Sequence, residues 1–206
     1  MPNWVYNTVS IEGEAEKVTA LQTRLAAPYK GVDTGEMNYL NLIAPPDEHW
    51  EEYNCGPVSL DDKKANAYNW YDWNMKHWGV KWNACSGDGA NVQESPNGNL
   101  YLTLRFESPW GPPVGIMEAL FEVCQEQGLD LDWYLEEEQG WGEEWETVEG
   151  RFVMVKSWDI PSSHADHKNI HSECVCSWLE DEEEWYNDCP RPAKVDNTDN
   201  NQQKGN

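Results

Sequence analysis

The run Ser95-Pro-Asn-Gly-Asn-Leu-Tyr-Leu-Thr-Leu-Arg-Phe-Glu-Ser-Pro-Trp-Gly-Pro-Pro113 holds a turn, a strand and a helix start in close succession. Asn97-Gly98 between alternating runs signals a hairpin, because a two-residue turn needs positive φ and these residue types tolerate it. Asn91 to Glu94 enters that turn and Asn99 to Ser108 leaves it, with Leu100, Leu102, Leu104 and Phe106 along one face. Pro112-Pro113 then opens a helix through Val114, Met117, Leu120, Phe121 and Cys124, which Gly128 closes.

Upstream, Trp4 to Glu12 alternates Val5, Asn7, Val9 and Glu12 against Tyr6, Thr8 and Ser10, which predicts a first strand broken by Gly13. Glu14 to Ala27 carries Val18, Leu21 and Leu25 at helical spacing and stops at Pro28. The short apolar run Met37 to Ile43, ended by Pro45-Pro46, is expected to cap the core, and Asp47 to Lys64 to form a loop or short helix. Trp70, Trp73 and His77 follow helical spacing up to Gly79 and feed an extended Val80 to Ala84. Downstream, Leu129 to Glu138 and Trp145 to Trp158 flank Gly140-Trp141-Gly142 and read as a closing hairpin. The order is strand, helix, hairpin, helix, strand and an extra partner. It predicts an α+β fold, a ferredoxin-like βαββαβ sandwich with insertions. This domain is expected over residues 1–160, with a His/Cys/acid-rich appendage over 161–192 and a disordered Asn- and Gln-rich tail over 193–206.

Composition narrows the function. Against 14 Lys+Arg stand 38 Asp+Glu, a net charge of −24 in 206 residues. Such a chain repels phosphate backbones and anionic membranes, so direct nucleic-acid and membrane binding are not expected. The 13 Trp and 9 Tyr supply core that a 39% apolar content would otherwise leave thin. Neither a secretory leader nor an apolar run of membrane-spanning length is present, so a cytoplasmic protein is expected. The Cys at 55, 85, 124, 174, 176 and 189 are accordingly read as reduced thiols.

The opening Met-Pro-Asn-Trp-Val-Tyr-Asn-Thr-Val-Ser-Ile-Glu-Gly13, the block Trp70-Tyr-Asp-Trp-Asn-Met-Lys-His-Trp-Gly-Val-Lys-Trp-Asn-Ala84 and Phe106-Glu-Ser-Pro-Trp-Gly-Pro-Pro113 resemble the YubB-type ferredoxin-like-domain family of phage and plasmid proteins over about residues 1–158. The resemblance implies the βαββαβ topology and a mobile-element setting, and no established activity. It implies no iron–sulfur cluster, for Cys55, Cys85 and Cys124 lack the clustered thiolate spacing that a cluster requires.

Three constellations remain. Trp70, Trp73, Trp78 and Trp82, with Trp110, could stack bases or sugars, but aromatic stripes at helical spacing pack as core and are read so here. His164, His167, His171, Cys174, Cys176 and Cys189 supply borderline and soft ligands for Zn²⁺, with His167, His171 and the three Cys as the preferred set, although Cys-x-Cys is tighter than usual zinc spacing. Acids crowd Asp130 to Glu149, including Asp132, Glu136, Glu137, Glu138, Glu143, Glu144 and Glu146, and recur over Glu180 to Glu184, including Glu182 and Glu183. One reading is a solvated face. The other is nucleic-acid mimicry: at one charge per about 1.7 Å, 24 charges equal roughly 40 Å of duplex, about the diameter of a compact chain of this length. No Gly-x-Ser-x-Gly, His-Glu-x-x-His or P-loop pattern occurs, and only Cys85 with His77 resembles a nucleophile and base. The leading expectation is a non-enzymatic phage or plasmid protein that binds and inhibits a basic host protein handling nucleic acid or defence. A zinc-binding accessory protein and a small hydrolase are the alternatives.

Overall fold

The computed structural model describes residues 3–54, 68–160 and 169–170, without the side chains of residues 86 and 88. Two compact units divide the chain, Met1–Ser157 and Trp158–Asn206. In the second, the described residues are the end of a strand at Trp158, the extended pair Asp159 and Ile160, and a helical Asn169-Ile170. The zinc ligands expected at His167, His171, Cys174, Cys176 and Cys189, the acids Glu182 and Glu183, and the disorder expected over 193–206 lie outside the described residues.

The first unit is an α+β structure on one six-stranded sheet. Its strands are β1 (Trp4–Gly13), β2 (Cys85–Glu94), β3 (Leu100–Pro109), β4 (Asp130–Glu137), β5 (Gly142–Val148) and β6 (Arg151–Trp158), in the order β2-β3-β1-β4-β5-β6. β1 lies antiparallel between β3 and β4, β2 is antiparallel to β3, and β5 to β4. Among the described residues the α-helices that accompany them are α1 (Ala15–Ala26), α2 (Trp50–Asn54), α3 (Trp70–His77) and α4 (Val114–Gln127).

One sheet face makes the core. Val5, Val9 and Ile11 of β1, Leu102 and Leu104 of β3 and Leu131, Trp133 and Leu135 of β4 are buried with Val18, Leu21 and Leu25 of α1 and Ile116, Met117, Leu120 and Cys124 of α4. Each large side chain so removed from water contributes about 1.5–3 kcal/mol. The buried face also holds Asn7, whose polar atoms are satisfied by Val5 O at 2.9 Å, Ser108 Oγ at 3.0 Å and the Trp133 indole at 3.0 Å. Helix ends follow local chemistry. Asn69 caps α3 by accepting from the Asp72 amide at 3.0 Å, and Gly128, at φ 66°, turns α4 off while the Leu129 amide returns to Cys124 O.

The segment 37–43 caps the core as its composition predicts, with Met37, Tyr39 and Leu40 buried. It is tied to the segment before β2 through Asn83, which accepts from the Tyr39 amide at 2.8 Å and donates to Asn38 Oδ1 at 2.9 Å.

Four details differ from the sequence reading. Gly13 ends β1 from inside the strand, where its missing side chain makes room for Leu129: a Cβ would meet Leu129 Cδ2 at 2.3 Å. β2 begins at Cys85, six residues before Asn91, because a bulge between Cys85 and Gly89 absorbs a Gly-rich stretch that carries no alternation. Gly87 there lets the Arg105 carbonyl approach to where a Cβ would be 2.1 Å away. Residues 80–83 are bends and Ala84 is irregular, with no ladder. Finally, the expected closing hairpin is three strands. Trp145 to Trp158 is split between β5 and β6 by a tight turn at Glu149 (φ 50°) and Gly150 (φ 71°). Glu-Gly meets the backbone requirement of a two-residue hairpin turn without the usual Asn or Asp signal.

Candidate functional site

The second face of the sheet is polar, and its register gathers the acids. Along β1 the side chains Tyr6, Thr8, Ser10 and Glu12 point away from Val5, Val9 and Ile11. Glu12 therefore shares a face with Ser10, in correction of the phase assigned from sequence, where it was grouped with the buried positions. Glu12 stands opposite Asp130, Ser10 opposite Asp132, Thr8 opposite Tyr134 and Tyr6 opposite Glu136. Tyr134 in turn faces Glu144, and Glu146 follows two residues on. On the other flank of β1, Thr8 faces Arg105 and Tyr6 faces Glu107. Glu12, Glu107, Asp130, Asp132, Glu136, Glu144 and Glu146 thus share one surface with Arg105.

Neighbours on adjacent strands are about 4.8 Å apart and i, i+2 neighbours about 6.8 Å, both inside the roughly 8 Å Debye length of physiological salt. Burial and the neighbouring charges act together on the titratable groups of this face. The Asp132 carboxyl is held above the ordinary carboxylate range by partial burial, then by the charge of Glu146, with Asp130 and Glu12 adding to it and a backbone hydrogen bond at Thr147 opposing. The Tyr134 phenol is raised by burial first, then by its hydrogen bond to Glu136 and the charges of Glu136 and Glu144. One cation reaches in from β6: Lys156 Nζ lies 3.2 Å from Glu144 Oε1.

The seven acids named in the hairpin separate. Asp132, Glu136, Glu144 and Glu146 lie on the acidic face. Glu138 sits exposed at the β4–β5 turn and accepts from the Trp4 amide at 3.2 Å. Glu143 takes the opposite phase on β5 and accepts the Trp145 indole N–H at 2.8 Å. Glu137 is a correction: it is 5% exposed, on the core side of β4. One oxygen accepts from the Gln139 amide at 2.6 Å and the other is buried without a partner. It presents no charge to a partner. Glu12 and Glu107 were missed, since the pairing that brings them to β4 and β3 joins residues far apart in sequence. Their signal was the odd–even alternation of β1 and β3.

Cys85 and His77 do not form a nucleophile–base pair among the described residues. The Cys85 thiol borders a cavity of about 230 Å³ beside Met37 and Phe106, donates to Asn83 O at 3.4 Å, and is pushed up by burial and by Glu107. A thiol so raised stays protonated at neutral pH and is a poor nucleophile. His77 stacks on Trp73 with ring centroids 3.9 Å apart, and burial followed by Lys76 lowers its imidazole. Cys124 is fully buried on the core face of α4, its thiol pushed up to about 12 by burial, then Asp130. No group of three or more His, Cys, Asp or Glu is placed to hold a metal ion among the described residues. Nor is any helix among them long and apolar enough to cross a membrane.

The tryptophan block divides in two. Trp78 is core, 1% exposed, its indole donating to Ile43 O at 2.9 Å, and Trp70 and Trp73 pack half-buried against it. Trp82 and Trp110 are 37% and 54% exposed, in correction of the reading that made them core, and lie against each other at 5.2 Å with planes tilted 43°.

No family model and no curated protein matches the sequence. Among solved structures, the chain is similar to the crystal structure of protein api92 from Yersinia pseudotuberculosis, described by family model DUF1281, at 11% identity over 78% of this chain and 99% of that chain, with a TM-score of 0.44.

Proposed function

We propose that the chain is a non-catalytic binding protein that sets the acidic face of its sheet against a basic surface of a partner protein. The partner fits a host factor that handles nucleic acid or takes part in defence, and the resemblance to phage and plasmid proteins supports a mobile-element origin. The observation that carries the reading is co-facial charge: seven carboxylates of four strands share one surface, where burial first and then the charge of Glu146 raise the Asp132 carboxyl. A cationic partner surface relieves that repulsion, whereas water alone leaves it in place. The order β2-β3-β1-β4, with α1 and α4 as connections packed on one face, supports a ferredoxin-like split βαββαβ unit that β5 and β6 extend.

The test is a pull-down from host lysate at low and high salt. It compares the wild type with a quadruple variant, Asp132→Asn, Glu136→Gln, Glu144→Gln and Glu146→Gln, whose fold is checked by circular dichroism. A basic partner should be recovered at low salt, be lost steeply as salt rises, be displaced by duplex DNA, and bind the variant with slower association. Binding that ignores salt, DNA and the four substitutions would overturn the reading, as would recovery of no basic partner.

A further inference from the structure

The ammonium of Lys81 lies 4.8 Å from the ring centre of Trp82, 5.2 Å from Trp110, 5.7 Å from Tyr71 and 5.9 Å from Trp70. All four fall within the roughly 6 Å over which a cation is attracted to an aromatic face. These rings come from the first turn of α3, the bend before β2 and the residue after β3, so three separate segments converge on one positive charge.

Packing alone does not account for the arrangement. Acids outnumber bases 38 to 14 in the chain, yet Lys81 makes no ion pair among the described residues. Trp110 and Trp82 leave much of their indole surface in water, against the main driving force of folding. Trp110 also holds φ at +62°, a left-handed conformation that a bulky residue adopts only at a steric cost, although Gly111 follows directly. Its amide donates to Asn3 O at 2.8 Å, which fixes this unfavourable backbone at the end of the sheet where β1 begins and β3 ends. Strain and exposure together maintain an aromatic wall around a cation.

We propose that Trp70, Tyr71, Trp82 and Trp110 form a cation cage for an ammonium or guanidinium group carried by a partner protein, and that Lys81 is its displaceable resident. The resident cation itself demonstrates the chemistry that the cage accepts. A side chain of a basic partner would enter as the Lys81 stem swings out to solvent. The cage shares no residue with the acidic face, so either can fail without the other.

Tetramethylammonium is a suitable probe, titrated into the full chain at constant total chloride while the indole N–H signals of Trp82 and Trp110 are followed by NMR. Lys81 is tethered at an effective concentration in the millimolar range and competes with the probe. The substitution Lys81→Ala should therefore lower the half-saturating concentration by about two- to fivefold, the factor that an exposed cation–π contact of about 0.5–1 kcal/mol supplies. Trp110→Gly, which relaxes the backbone at a positive φ and so spares the fold, should abolish the response. The quadruple acidic-face variant should respond as the wild type does. Equal half-saturation with and without Lys81, a response that survives Trp110→Gly, or an equal response to neutral tert-butanol would overturn the proposal, the last by making the patch merely apolar.

Discussion

The indole N–H of Trp133 donates to the side-chain oxygen of Asn7 at 3.0 Å, joining a buried β4 side chain to a buried β1 side chain. Asn7 in turn donates to Ser108 on β3, so one amide links the three central strands on the core side. An unsatisfied buried donor costs about 1–3 kcal/mol. Asn7→Ala leaves the indole without an acceptor and opens a small void. It should lower the unfolding free energy by about 2–4 kcal/mol in urea titrations. Combined with Trp133→Phe, the loss should fall short of the sum of the two single losses, because the substitutions remove one shared bond.

Gly115, in the first turn of α4, sits where a Cβ would lie 2.1 Å from the His77 carbonyl oxygen and 3.5 Å from the Trp78 Cα. Both neighbours are backbone and cannot rotate away. Gly115→Ala should destabilise the protein by about 1–3 kcal/mol despite the better helix propensity of alanine. A rise in melting temperature would show that α3 and α4 do not meet this closely.

Asp132 supplies a test of the crowded carboxylates by pH. Its folded-state carboxyl is raised above the 3.8 of the free side chain. Below that value it is neutral folded or unfolded and has no effect. As pH rises past it, the unfolded chain releases the proton first, so stability falls until the folded carboxyl also ionises. The penalty then stays constant. Asp132→Asn should raise stability at neutral pH by less than about 1 kcal/mol, given its solvent exposure, and the gain should shrink to nothing as pH approaches 3.8. Thermal melts of both proteins between pH 3.5 and 7.5, a range of about four units spanning that transition, decide it.

The sheet was legible wherever side-chain period and turn chemistry agree. β1, the β3 strand with its Asn97-Gly98 turn, α1 and α4 each combine a clear period with a standard stop signal, and they stand where the pattern put them. The Glu149-Gly150 turn was hidden because its first residue is atypical for positive φ. The start of β2 was hidden because Cys85 to Ala90 bulges and does not alternate. The candidate surface was legible in composition and not in placement. Local crowding marked Glu137 and Glu143 as strongly as Glu144, and only the phase of each strand separates the buried from the presented. Trp82 and Trp110 look like core on the page because hydrophobicity says nothing of the left-handed backbone and chain end that expose the second of them.

The central place of β1 also sets an order of events during synthesis. Val5 pairs with Ser108 on one side and Glu137 on the other, so the strand translated first is flanked by strands made much later. At a ribosomal rate of about 5–20 residues per second, roughly 7 to 26 s separate the making of Val5 from that of Glu137. Until β3 is made, Val5, Val9 and Ile11 have no strand to join and α1 can offer them only partial cover; until β4 follows, they are paired on one side alone. Nascent chains released before residue 100 would therefore carry an unpaired apolar strand, and those released between 109 and 130 an open sheet edge, the species on which chaperones act and from which aggregates start.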